Sequence, residues 1–158
     1  MNIFRYASIA LSALLVAAVL SVALRARASS APTCQILNLT PMTFGGYPAG
    51  TRAPMDSMGE MELSCSAETP VRILFGPSAS GRELPREMRS SRGSLMYNLF
   101  VDAAHAVPWG DGTQGAQSYT VLVIGGQPLR LPIFGRVFGN QAVAAGTYTD
   151  RVVVTLMF

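Results

Sequence analysis

The sequence has no lysine, one histidine, one tryptophan and two cysteines, and only 13% of its 158 residues are charged. Each scarcity excludes something. The twelve basic residues are all Arg and form no dense basic run, which argues against a nucleic-acid partner. Cys34 and Cys65 are too far apart for the C-x-x-C spacing of a reactive dithiol. No G-x-S-x-G is present to set a serine in a strained turn, so the lone His has no activated nucleophile to serve. No segment after residue 28 keeps a helical period over three turns.

What is present begins with a leader. Arg5 supplies a positive start, Ala7 to Leu24 form an apolar run, and Ala26-Arg27-Ala28 is an A-x-A cleavage site. Met1–Ala28 therefore reads as an export signal. The rival is a retained transmembrane helix, since the run is just long enough to span a bilayer. Pro32-Thr33 before Cys34 is not the small-residue context of a lipoprotein anchor. Loss of Arg5, Arg25 and Arg27 leaves nine Arg against nine acids, so the basic balance belongs to the leader. The remaining 29–158 segment has the length of one domain with its own core. In an exported chain Cys34 and Cys65 are most simply a disulfide, which would stabilise by about 3–4 kcal/mol through loop closure.

The exported part reads as strands and turns. MELSCS alternates strictly, with Met61, Leu63 and Cys65 on one face. VRILFGP, SLMYNLFVD, QSYTVLVIGG, QPLRLPIFGRVF and GTYTDRVVVTLMF are further strand candidates. Pro132 inside QPLRLPIFGRVF predicts an edge or a bulge. APMDSMGE reads as a loop, and the polar SASGRELPREMRSSRGS as a long exposed connection, with an Arg-lined patch for an acidic ligand as the sharper alternative. Short strands with Gly/Pro turns predict an all-β antiparallel sandwich.

The stretch SLMYNLFVDAAHAVPWGDGT gathers the rare residues. Asp102, His105 and Asp111 offer two oxygens and a nitrogen to a metal ion, but no fourth ligand suggests itself, and the spacing does not fit a calcium loop. His105 alone is a weak general-base candidate. The structural account covers more residues: a strand with two apolar faces ends at Asp102, Trp109 packs on the sandwich edge, and Asp111-Gly112 makes a tight hairpin turn. No catalytic residue, metal or cofactor is expected.

YNLFVDAAHAVPWGDGT, LPIFGRV and AGTYTDRVVVTLMF together resemble the signature blocks of the spore coat protein U domain family, which includes subunits of archaic chaperone–usher pili. The resemblance spans Cys34–Phe158, with Tyr97, Asn98, Asp102, Trp109, Gly110, Asp111 and Gly112 carrying the central block. It implies an incomplete immunoglobulin-like sandwich lacking its last strand, pilin-like, in which a periplasmic chaperone and then a neighbouring subunit lend a strand. By the same resemblance, Val152, Val154, Leu156 and Phe158 line the acceptor groove and the C-terminal carboxylate meets the chaperone. The apolar face of the last strand candidate, with nothing after it, agrees with an unpaired edge. The implied protein is a non-enzymatic structural subunit of a pilus or spore-coat-like assembly, exported through the inner membrane to periplasm and then surface. Its partners would be chaperone, outer-membrane usher and neighbouring subunits, with no nucleic acid and no membrane after cleavage.

One departure bears on assembly. The arm Ser29–Thr33, SSAPT, spans at most about 18 Å extended and offers no large apolar side chain. With cleavage after Ala28, two expectations stay open: a chain that accepts a strand without donating one, as a tip adhesin or a surface- or carbohydrate-binding module would, with Tyr47, Met55, Met58 and Trp109 as candidate contacts, and a secreted coat-type domain that does not polymerise.

Overall fold

Alternation of apolar and polar residues sends every other side chain to one face of a strand, and it builds two antiparallel sheets here. The computed structural model describes residues 30–158. The proposed leader, Met1–Ala28, lies outside the described residues. The strands are β1 (Cys34–Leu39), β2 (Met55–Cys65), β3 (Thr69–Phe75), β4 (Arg86–Ser90), β5 (Gly93–Phe100), β6 (Tyr119–Val123), β7 (Leu129–Val137) and β8 (Val154–Met157). One sheet has the order β1-β2-β7-β5-β4 and the other β6-β3-β8. The all-β antiparallel expectation holds.

The core lies between the sheets. Met61, Leu63 and Cys65 of β2 face Val71, Ile73 and Phe75 of β3, joined by Tyr97 and Leu99 of β5 and Ile133 and Val137 of β7. Each such large apolar side chain, fully buried, contributes about 1.5–3 kcal/mol relative to exposure. Cys34 and Cys65 stand opposite each other in the β1–β2 ladder and form a disulfide. β5 is apolar on both faces because the loop after it folds back over the outer face. His105 meets Phe100 edge-on at 5.1 Å and Phe134 at 6.3 Å.

Four sequence expectations change. MDSMGE is strand, not loop, because β2 runs from Met55 and pairs with β7 as far as Val137. The polar stretch from Ser78 to Ser94 is not an exposed connection: it contains β4, and Glu83, Arg86 and Met88 are buried. Pro132 lies on an interior strand, with no bulge in its ladder to β2. It is tolerated because β5 accompanies β7 only from Phe134 to Val137, so Pro132 has a paired neighbour on one side alone. Asp111-Gly112 is not a hairpin turn, since β5 and β6 belong to different sheets and residues 101–118 cross between them.

Candidate functional site

Residues 101–118 are fixed by a buried polar knot. The Arg86 guanidinium donates to the carbonyls of Phe75 and Trp109 (both 3.1 Å) and to that of Gly76, and lies 3.5 Å from Glu83 Oε1. Glu83 Oε1 accepts from the Asp111 N–H at 2.7 Å, and Oε2 accepts from the Thr113 hydroxyl at 3.3 Å. Burial pushes the Glu83 carboxyl above its ordinary value, opposed by the Asp111 N–H, and pushes the Arg86 guanidinium below its own.

The signature residues surround this knot. The Trp109 indole N–H donates to Ile73 O at 3.2 Å, and its ring is 1% exposed and 4.6 Å from that of Phe75. Trp109 is thus core rather than an edge group or a contact for a partner. The Asn98 side-chain oxygen accepts from the Arg86 N–H at 3.1 Å. A Cβ at Gly110 would overlap the Glu83 carboxylate, which explains the glycine. Gly112 holds φ at +95°.

The three residues considered for a metal are spent separately. Asp102 accepts from the backbone N–H groups of Ala106 and Val107, which hold its carboxyl below the usual range. Asp111 accepts from Thr113, with the same direction of shift. The buried His105 ring makes no hydrogen bond, and its Nε2 lies 3.7 Å from Asp56 Oδ1. Among the described residues no three His, Cys, Asp or Glu side chains are grouped to hold a metal ion.

Beside the knot, sharing Phe75 and Tyr97 as a wall, the sandwich is open. A groove of about 940 Å³ runs between residues 39–47 on one rim and residues 143–154 on the other. Its floor is apolar: Phe75, Met88, Leu95, Leu99, Ile133 and Val137. β8 pairs with β3 alone, through Val154–Met157 against Arg72–Phe75, so its outer edge has no strand partner among the described residues. One polar landmark interrupts the floor. The Tyr97 hydroxyl donates to Asp150 Oδ2 at 2.6 Å, and burial, then Asp150, raises the phenol's pKa.

The first rim is tied to the segment that follows β7. The Tyr47 hydroxyl donates to Phe138 O and accepts from the Gln141 N–H, both at 3.1 Å. The Gln141 amide in turn mimics a strand neighbour for Met96, accepting from its N–H at 2.6 Å and donating to its carbonyl at 2.9 Å.

Of the four residues assigned to the groove by resemblance, Val152 and Val154 line it. Leu156 packs against the core opposite Ile73, and Phe158 is 56% exposed; neither is in the lining. Of the proposed loop contacts, Met58 stands outward on β2, Met55 is half-buried at its start, and Tyr47 is engaged in the rim tie. Sequence reasoning missed Met42 and Phe44, which line the groove. The signal was available in Gly135, a glycine inside a strand, which marks a close approach.

No helix among the described residues is long and apolar enough to cross a membrane. Residues 20–155 match the model of the Spore Coat Protein U domain. Protein U of Myxococcus xanthus is 30% identical over 108 residues, covering 63% of this chain and 59% of that protein, so the chain spans under two thirds of its curated relative. Among solved structures, the fold is similar to a chain of the CsuC–CsuE chaperone–tip adhesion subunit pre-assembly complex from archaic chaperone–usher Csu pili of Acinetobacter baumannii. The TM-score is 0.55 at 24% identity, covering 81% of this chain and 40% of that one. The match covers most of the sequence and all eight strands begin within it, so the chain belongs to the spore coat protein U domain family.

Proposed function

We propose that the chain is an exported, non-enzymatic structural subunit of a surface pilus or coat-like assembly, completed by donor-strand complementation. Met1–Ala28 is its signal and residues 29–158 its single domain. The observation that carries this is the apolar groove beside the unpaired edge of β8. An extended guest segment placed there hydrogen-bonds along β8 through its main chain and buries alternate side chains on Phe75, Leu99 and Val152. A periplasmic chaperone supplies the strand first, and a neighbouring subunit replaces it at the outer-membrane usher. Val152 and Val154 contact the guest.

A second reading, a tip subunit that accepts a strand without donating one, is favoured by the arm Ser29–Thr33, which has no large apolar side chain.

Periplasmic co-expression with a pilus chaperone tests the reading. A stoichiometric complex is expected, with Val154→Asp abolishing it. A chain that folds alone as a stable, protease-resistant monomer and ignores the chaperone would sink the proposal.

A further inference from the structure

The inner faces of β2 and β7 carry two glycines near the groove, Gly59 and Gly135. In the ladder Gly59 stands opposite Ile133 and Gly135 opposite Ser57, so the two are diagonal neighbours on one face. Together with Ser57 they leave a hollow in a face whose other positions carry Met55, Met61, Leu131, Ile133 and Val137. The hollow is occupied. A Cβ on Gly135 would overlap Met42 Sδ and come within 2.9 Å of Phe44 Cζ, and one on Gly59 would lie 3.6 Å from Met42 Cε. Phe44 also meets the Tyr97 ring edge-on at 5.9 Å.

Met42 and Phe44 belong to the strap from Thr40 to Tyr47, not to a strand. The strap is pinned at three points: the Thr40 N–H donates to Glu60 O at 2.8 Å, the Ser57 hydroxyl donates to Thr43 O at 2.7 Å, and Tyr47 makes the rim tie. The pins hold the two side chains in place from one rim, and all the strap residues line the groove. The groove therefore has unequal depth. Over Phe75, Leu99 and Val152 it is empty, whereas over the glycine hollow this chain has already supplied the filling.

We propose that Met42 and Phe44, seated on Gly59 and Gly135, size the groove, so that a guest strand must present a small inward residue at the position facing them and large apolar residues at its other inward positions. This rests on the open-groove reading above. The physical basis is overpacking: a close-packed seat accepts no further methylenes without displacing the strap. Inward guest residues recur every second position, so the restriction falls on one position.

The test uses the full-length, disulfide-bonded protein and a synthetic peptide alternating Val and Thr as the guest. Each Val is replaced in turn by Ala and by Phe, and affinities are measured by fluorescence anisotropy. For the natural sequence, one position is expected at which Phe binds at least about tenfold more weakly than Ala. Phe44→Ala and Met42→Ala should relieve that penalty, and relief should be confined to that position. Phe44→Leu, which keeps most of the filling and is the safer variant for folding, should relieve it in part. A penalty that persists in all three variants, or that falls on no single position, overturns the sizing role while leaving the groove reading intact. If the natural protein binds none of the peptides, the groove reading fails and the sizing role with it.

Discussion

Around Arg86 and along the groove, the same sandwich leaves its interior in two different states, with Phe75 and Tyr97 shared between them. At the knot, charged groups are buried and find their partners inside the chain: three carbonyls and a carboxylate for the guanidinium, an N–H and a hydroxyl for Glu83. At the groove, the surroundings are apolar and the outer edge of β8 has no strand partner among the described residues. A buried charge cannot wait for a partner, because an unpaired ion in a low-dielectric interior costs several kcal/mol. An apolar groove carries no such penalty of unpaired charge, and on the proposed reading a guest strand covers it later. The knot is closed within the chain, and the groove is where the proposed exchange of strands would take place.

The sharpest way to break this contrast is to remove one partner of the knot. Arg86→Met should cost about 3–5 kcal/mol in urea unfolding, because the buried Glu83 carboxyl loses its charged partner. Adding Glu83→Gln should recover part of that loss. Recovery stays incomplete, since the carbonyls of Phe75, Gly76 and Trp109 lose their donor. A single-variant loss under about 1 kcal/mol would mean that the knot does not hold residues 101–118 in place.

Next in size is the disulfide. Replacing both Cys34 and Cys65 by Ala should cost about 3–4 kcal/mol, read from the same unfolding curves. It lies on β1 and β2, outside the knot, so its loss should add to that of Arg86→Met rather than couple with it. Strong coupling between the two would join regions that the contacts keep separate.

At the groove the balance between stability and binding should invert. Val152→Ala removes apolar surface from a residue that is only half-buried in the free chain, so its effect on unfolding should be about 1 kcal/mol or less. The same change should weaken binding of an alternating Val/Thr peptide by a larger factor than any substitution at the knot that leaves the fold intact. Equal effects on stability and on binding would place Val152 in the core rather than in the interface.

How far these regions could be read from the sequence follows the same division. Strands whose inner face is apolar, such as MELSCS and VRILF, declare themselves through alternation, and the Cys pair with no C-x-x-C spacing declares its bond. The knot hides, because Glu83 and Arg86 look like any solvated Glu and Arg until Asp111, Trp109 and Phe75 are folded around them. All those partners except Arg86 and Glu83 themselves are distant in sequence. β4 hides for the same reason, since its buried residues include Arg86 and Glu87. The groove was legible in half: Val152 and Val154 fall on the expected face, whereas the strap rim depends on glycines of two other strands. The rim tie through Gln141 left no local signal, because an amide imitating a strand neighbour needs only the right loop path.

The smallest expected effect separates the two kinds of charge by the sign of their pH dependence. Asp56 on β2 is a surface carboxylate, bonded by Arg136 through both oxygens at 2.7 and 2.8 Å. The Arg136 hydrogen bonds hold its carboxyl below the ordinary 3.8. A depressed folded value means that Asp56 contributes its stability above the unfolded pKa and loses it as pH falls through the folded one. Asp56→Asn should therefore flatten the stability curve below about pH 4, and at neutral pH it should cost only about 0.2–1 kcal/mol, because the pair is exposed to water and salt. Glu83 has the opposite sign. Burial raises its folded pKa above 4.5, so stability associated with the protonated carboxyl is present below the unfolded value and is lost as pH rises through the folded one. In Glu83→Gln that loss on the alkaline side of about pH 4.5 should disappear while the acid limb stays. Urea midpoints measured from pH 2 to pH 8 would show the two variants changing opposite limbs of the same curve; if both flatten the acid limb, Glu83 is ionising like a surface carboxylate and the knot is wetter than its burial implies.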